Sequence, residues 1–172
     1  MNPALHAIYH RRSIRSFDRG APPEARIHDL LEAAMAAPSA CARDPWHFVV
    51  VTDRDMLYRM TEGLPNGKFL AQAGAAIVVC GSLAETHDGQ LSYLLQDCSA
   101  AIENMLLAAS MLGLGACWLG VHPRVERSAH LHALLKIPAE ILPVAVIAIG
   151  NPGGHPPART RFQAAKVHKD TW

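Results

Sequence analysis

Residues 90–112 carry the longest helical pattern in the chain. Leu91, Leu94, Leu95, Cys98, Ala101, Ile102, Met105, Leu106, Ala109 and Leu112 recur at helical spacing. Their stripe is wide, so this helix needs cover on most of its sides. A chain built around such a helix must wrap it in other elements, and the flanking sequence supplies them. Residues 48–52 form a β-branched apolar run that reads as a buried strand, and 75–80, 116–119 and 144–149 read as three more. Asn2 and Pro3 suit the start of a first helix, a capping side chain followed by a residue with fixed φ. Pro22 and Pro23 open a second, with Ile27, Leu30, Leu31, Ala34 and Met35 as its stripe. It ends near Ala36, because Pro38 disfavours helix at the residue before it. A short helix is predicted at 54–61, a loop at 63–67, and a last helix around Leu131, Leu134 and Leu135 that stops before Pro138.

Strands and helices interleave, but not as βαβ units with a glycine-rich phosphate turn. The expected class is α+β, one sheet with a buried central helix. No internal repeat or linker interrupts residues 1–172, so a single domain is expected. Apolar residues make up 50% and charged residues only 18%, which excludes a disordered chain. Part of the apolar excess is alanine on helices. The rest implies either a larger core or an extra buried surface, meaning an obligate partner or a large cofactor.

A net charge of +1 gives no basic excess for a nucleic-acid partner. The apolar runs are far short of the roughly 20 residues of a membrane span. The start of the chain lacks a basic patch followed by an apolar stretch, and a cytoplasmic location is expected. Cys41, Cys80, Cys98 and Cys117 show no CxxC spacing and are expected as buried free thiols. The ten histidines form no HExxH and no ligand-spaced set, so no metal site is expected.

Four segments could carry chemistry. Arg11, Arg12, Ser13 and Arg15 place three guanidinium groups and a hydroxyl within five residues, a compact set for an anion. Arg159 and Arg161 could approach the same anion from another direction. Each set alone also fits a solvated charge run. Pro38, Ser39 and Ala40 begin a turn of small residues that leads into Trp46, His47 and Phe48; such a turn permits close approach to a flat ligand. Gly113, Gly115 and Gly120 bracket a strand, but Trp118 stands where a dinucleotide fingerprint needs its third glycine. The order is also helix then strand, the reverse of that motif, so a Rossmann site is rejected. A nucleophile elbow, a phosphate loop and paired carboxylates are absent, so any hard chemistry would come from a cofactor.

Together the segments RRSIRSF, PSACARDPWHFVVV, DCSAAIENMLLAA, GLGACWLG, PVAVIAIGNP and ARTR resemble the flavin-dependent nitroreductase family, in order and spacing, from Arg11 to Trp172. The resemblance implies an α/β/α sandwich with a mostly antiparallel central sheet, assembled as an intertwined homodimer. It implies FMN in clefts at the subunit interface, NADH or NADPH as electron donor, and a small-molecule electron acceptor in a ping-pong cycle. Arg11, Arg12, Ser13 and Arg15 would hold the phosphate, ribityl chain and pyrimidine edge, with Arg159 and Arg161 completing the phosphate site. Pro38, Ser39 and Ala40 would lie on the ring system from the other subunit. Leu119 and Gly120 would offer backbone N–H groups near flavin N5 and O4. No side chain is implied as a catalytic residue, because flavin N5 carries the chemistry. Residues 151–172 would be a C-terminal extension, with Val167 to Trp172 packing on the partner.

The chain departs from the family pattern at Ala42 and Asp44, where asparagine and glutamine are common, and at Cys41. The segment between Thr61 and Gln90 is too short for large lid helices, which implies an open cleft. Nitroaromatic or quinone reduction is the leading expectation. A flavin carrier or sensor without turnover, or specialised chemistry such as reductive dehalogenation, is the alternative.

Overall fold

The structure, a computed structural model, describes residues 2–172. Its helices are α1 (His6–His10), α2 (Glu24–Met35), α3 (Arg54–Gly63), α4 (Leu91–Met111) and α5 (Val125–Leu135). Its strands are β1 (Phe17–Asp18), β2 (Trp46–Val51), β3 (Ala75–Ser82), β4 (Gly115–Gly120) and β5 (Ile141–Pro152). Local signals explain the boundaries. Asn2 caps the first turn by accepting the Ala4 N–H at 2.9 Å. Asp53 caps α3 through the Met56 N–H at 2.8 Å. α2 ends at Met35, ahead of Pro38 as expected.

β5 is the spine of one antiparallel sheet. It pairs with β3 over Ile141–Ile149 and with β4 over residues 145–150, while β1 joins its last two residues. β2 pairs with β3. The order across the sheet is therefore β4, β5, β3, β2, with β4 and β2 at opposite edges. β3 is buried at every position and β5 nearly so, because both faces are covered. Ala75, Ile77 and Val79 join α2 and α4 on one face; Ala76, Val78 and Cys80 join α3 and α5 on the other. Apolar runs without polar alternation are the signature of a sheet covered on both sides. The expected α+β sandwich is therefore the observed one.

The structure adds what the pattern missed. The predicted loop at 63–67 is instead the end of α3 followed by a 3₁₀ stretch, Pro65–Gln72, nucleated by the fixed φ of Pro65. β5 reaches well beyond 144–149 and contains Pro143, which lies opposite Cys80 beside a register shift between Val79 and Cys80. A proline has no N–H for the ladder, so it is tolerated at such an irregularity. Among the described residues no helix is long and apolar enough to cross a membrane.

The expectation of four buried thiols needs one correction. Cys80, Cys98 and Cys117 are buried, but Cys41 is exposed. It sits in a 3₁₀ turn, Ala40–Ala42, that lies outside the packed layers.

Candidate functional site

The two basic segments meet. Arg11, Arg12, Ser13, Arg15, Arg159 and Arg161 line one cleft of about 330 Å³ together with Ile8. Backbone bonds position them. Ser13 bridges to Ala116 on the outer edge of β4, where the Ile14 N–H donates to the Ala116 carbonyl at 2.9 Å. The C-terminal segment is tied back by the Arg159 N–H to the Tyr9 carbonyl at 3.2 Å. Arg12 Nη1 also donates to the Pro157 carbonyl.

Only one of these guanidinium groups has a carboxylate partner among the described residues: Arg11 Nε lies 3.0 Å from Glu103 Oε1 on α4. Arg12 is held below its ordinary pKa by desolvation, and then by the repulsion of Arg159, Arg11 and Arg161. The cluster thus concentrates positive charge that the protein itself does not neutralise. An anion with several oxygens would satisfy it.

The Pro38–Ala40 segment lies elsewhere. It precedes β2, at the sheet edge opposite β4. Three strand spacings separate those edges, roughly 14 Å. The turn is strained: Cys41, Ala42 and Asp44 all take left-handed backbone, with φ of 55°, 51° and 49°. Such conformations persist only where the surroundings fix them. Here Asp44 does the fixing. The Ser39 hydroxyl donates to Asp44 Oδ1 at 2.5 Å and accepts the Asp44 N–H at 2.9 Å. The single hydroxyl proton of Ser39 is therefore engaged inside the turn.

Asp97 on α4 supports the turn from below, accepting the Ala40 N–H on Oδ1 at 3.0 Å. It is buried, and its Oδ2 has no protein partner. Cys41 Sγ stands 3.9 Å from His87 Nε2.

At the other edge, β4 ends in Gly120. Residues in a ladder alternate in the direction of their backbone groups. Ala116 bonds outward to Ile14, and the Val121 N–H bonds inward to the Val144 carbonyl at 3.1 Å. The Leu119 amide therefore points into the β4–β5 ladder, which corrects its expected role as a free donor. The Gly120 amide points outward. Gly120 is exposed, and a Cβ built there would meet nothing within 4 Å, so the face of the strand at this residue is open. The Gly120 carbonyl accepts from Arg127 Nη1 at 2.7 Å.

Three contributing residues escaped the sequence reading. Asp97 and Glu103 had a usable signal, being the two acids within the most apolar helix. The partners of Glu103 and Arg127 were not legible: Arg11 lies far from Glu103 in sequence, and Arg127, seven residues after Gly120, is brought to it by the turn between β4 and α5. His28, Asp29 and Glu32 bring potential ligand atoms within 4.8 Å on the exposed face of α2. That grouping is the charge clustering of a solvated helix, and we assign it no role.

The model of the Nitroreductase family matches residues 8–64 and 61–151. The chain belongs to the nitroreductase family. An Archaeoglobus fulgidus protein named NADH dehydrogenase/NAD(P)H nitroreductase is 44% identical over 180 residues, covering 100% of both chains. A crystal structure from Parabacteroides distasonis, described in the same terms, superposes with a TM-score of 0.93 at 37% identity, covering 100% of both. A nitroreductase from Desulfovibrio desulfuricans, crystallised in complex with FMN, superposes with a TM-score of 0.84 at 30% identity, covering 100% of this chain and 99% of that one. The nitroreductase fold is thus shared end to end, the C-terminal segment with Arg159 and Arg161 included.

Proposed function

We propose that this member of the nitroreductase family is an FMN-dependent oxidoreductase that takes electrons from NADH or NADPH and passes them to small acceptors such as nitroaromatics and quinones. The observation that carries this reading is the cleft of arginines with a single carboxylate, set on the same sheet edge as the open Gly120 amide. The donor set fits the cofactor. Guanidinium groups bind a phosphate bidentately, and the missing Cβ at Gly120 leaves room for a flat ring. When bound, FMN supplies reversible hydride acceptance, which no side chain here can provide.

The protein's own residues bind and orient. Arg12, Arg159 and Arg161 would take the phosphate, with Arg11 kept in place by Glu103. Ser13 and Arg15 would follow the cofactor along the edge of β4, toward the donor at Gly120. The turn at Pro38, Ser39 and Ala40 would press on the ring as a rigid platform. It belongs to the opposite edge of the sheet, so in this reading it reaches the cofactor from a second copy of the chain. The exposed Phe162, Val167 and Trp172 support that assembly, since a C-terminal segment tipped with three large apolar side chains calls for cover.

The test is direct. Purified protein should be yellow and release FMN on denaturation. Anaerobic NADH or NADPH should bleach the bound flavin, and a screen of nitroaromatics and quinones should restore the colour. A colourless protein that cannot be reconstituted with FMN would sink the proposal. A flavin that neither nicotinamide bleaches would make the chain a carrier or sensor instead.

A further inference from the structure

We infer that Arg127 turns the end of β4 into a donor-only edge, and so acts as a positioning residue for electron-rich acceptor atoms placed against Gly120. The inference rests on the functional reading above and deepens it.

The N–H and C=O of one strand residue project to the same side. At the outer edge of β4, Gly120 would therefore present both a donor and an acceptor. A bare carbonyl there would repel the oxygen and nitrogen acceptors that line one margin of a flavin ring. Arg127, near the start of α5, donates Nη1 to that carbonyl at 2.7 Å and takes it out of play. What remains is the outward N–H of Gly120, an exposed residue whose missing Cβ leaves the strand face open.

Arg127 also brings charge. Among the described residues no carboxylate lies within 4.0 Å of its guanidinium. Its Nε is buried and has no partner. The amino-terminal end of α5 adds a further positive potential of the same sign. A guanidinium that served only to tie α5 to β4 would more economically be paired with an acid. Left unpaired beside an open donor edge, it favours a ligand that gains negative charge there. A hydride equivalent brings two electrons and one proton, so the ring that accepts it gains one negative charge. Arg127 should then favour the reduced over the oxidised cofactor.

The experiment uses FMN-loaded protein. Midpoint potentials are measured spectroelectrochemically for the unaltered chain and for Arg127→Lys, Arg127→Gln and Arg127→Met, with thermal unfolding and FMN affinity recorded alongside. Loss of the charge in Arg127→Gln or Arg127→Met should shift the two-electron equilibrium toward the oxidised form at least tenfold, which is 29.6 mV for such a couple. Arg127→Lys, which keeps charge and donor, should restore most of the difference. Two charge-removing variants guard against one that does not fold. Potentials unchanged in Arg127→Gln or Arg127→Met, whatever their melting temperatures, would overturn the inference alone and leave Arg127 a packing tie. Failure of the unaltered chain to take up FMN would overturn the functional reading, and this inference with it.

Discussion

Asp97 and Glu103 stand six residues apart on α4 and hold two halves of the candidate site from different sides of the helix. Asp97 Oδ1 takes the Ala40 N–H at 3.0 Å, and Glu103 Oε1 takes Arg11 Nε at 3.0 Å. Six residues turn a helix through about 240° and advance it about 9 Å. The central helix is therefore more than core filling. It sets where the small-residue turn and the arginine segment can be.

The two anchors should differ in weight. Asp97 is buried, so Asp97→Ala leaves the Ala40 N–H without its partner and should cost about 2 kcal/mol. Glu103 has a side chain 48% exposed, so Glu103→Ala should cost under about 1 kcal/mol. Denaturant unfolding of both variants checks the order, and equal losses would contradict it.

The arginine cleft should respond to simple anions. Mutual repulsion among Arg12, Arg159, Arg11 and Arg161 is relieved when an anion binds. Inorganic phosphate should therefore raise the melting temperature of cofactor-stripped protein more than chloride does at equal ionic strength. Arg12→Ala should shrink that increment. An identical response to both salts would mean that the cluster is an ordinary solvated patch.

Two glycines should behave in opposite ways. Gly120 has open space at its missing Cβ, so Gly120→Ala should leave the melting temperature unchanged. If the ring lies against Gly120 as proposed, the added methyl would occupy its place and weaken FMN binding at least tenfold, about 1.4 kcal/mol. At Gly150 a Cβ would lie 2.9 Å from Phe17 Cδ1 and 3.0 Å from the Gly74 backbone nitrogen. Gly150→Ala should therefore destabilise by about 1–3 kcal/mol through overpacking. Flavin fluorescence titration and thermal unfolding separate the two effects.

The thiols give a pH prediction. Burial pushes both Cys80 and Cys98 up to about 12, from an ordinary 9.0. In the folded state these groups hold their protons where the unfolded chain loses them. Stability from this source is full below pH 9.0 and falls as pH rises toward 12. At neutral pH the exposed Cys41 should be the one thiol that reacts quickly with a disulfide reagent, and denaturation should release the other three. More than one fast thiol in the native protein would contradict the packing described.

Much of the fold could be read from the chain because its signals are local. The wide stripe of residues 90–112 becomes α4, and the apolar runs become strands covered on both faces. The arginine set was legible for a similar reason, being two short clusters with one chemistry. Pairings across the sequence were not legible. Nothing near Glu103 announces Arg11, because that bond depends on how the layers stack, and the link from Arg127 back to Gly120 depends on how the turn between β4 and α5 folds. The alternation that turns the Leu119 amide inward depends on the register of β4 with β5, which only pairing defines. Asp44 looked like a departure from the family turn, yet in the structure it holds Ser39 and closes that turn.

The placement of β4 and β2 at opposite edges has a genetic consequence. If each cofactor site draws its arginines from one copy and its turn from another, defects in the two halves belong to different complementation groups. A chain lacking Arg12 and a chain with a disrupted Ser39–Asp44 turn, each inactive alone, would assemble mixed dimers in which one site receives both injuries and the other receives neither. Co-expression should then return up to half the activity per mixed dimer, a rescue that a site built within one copy could never show.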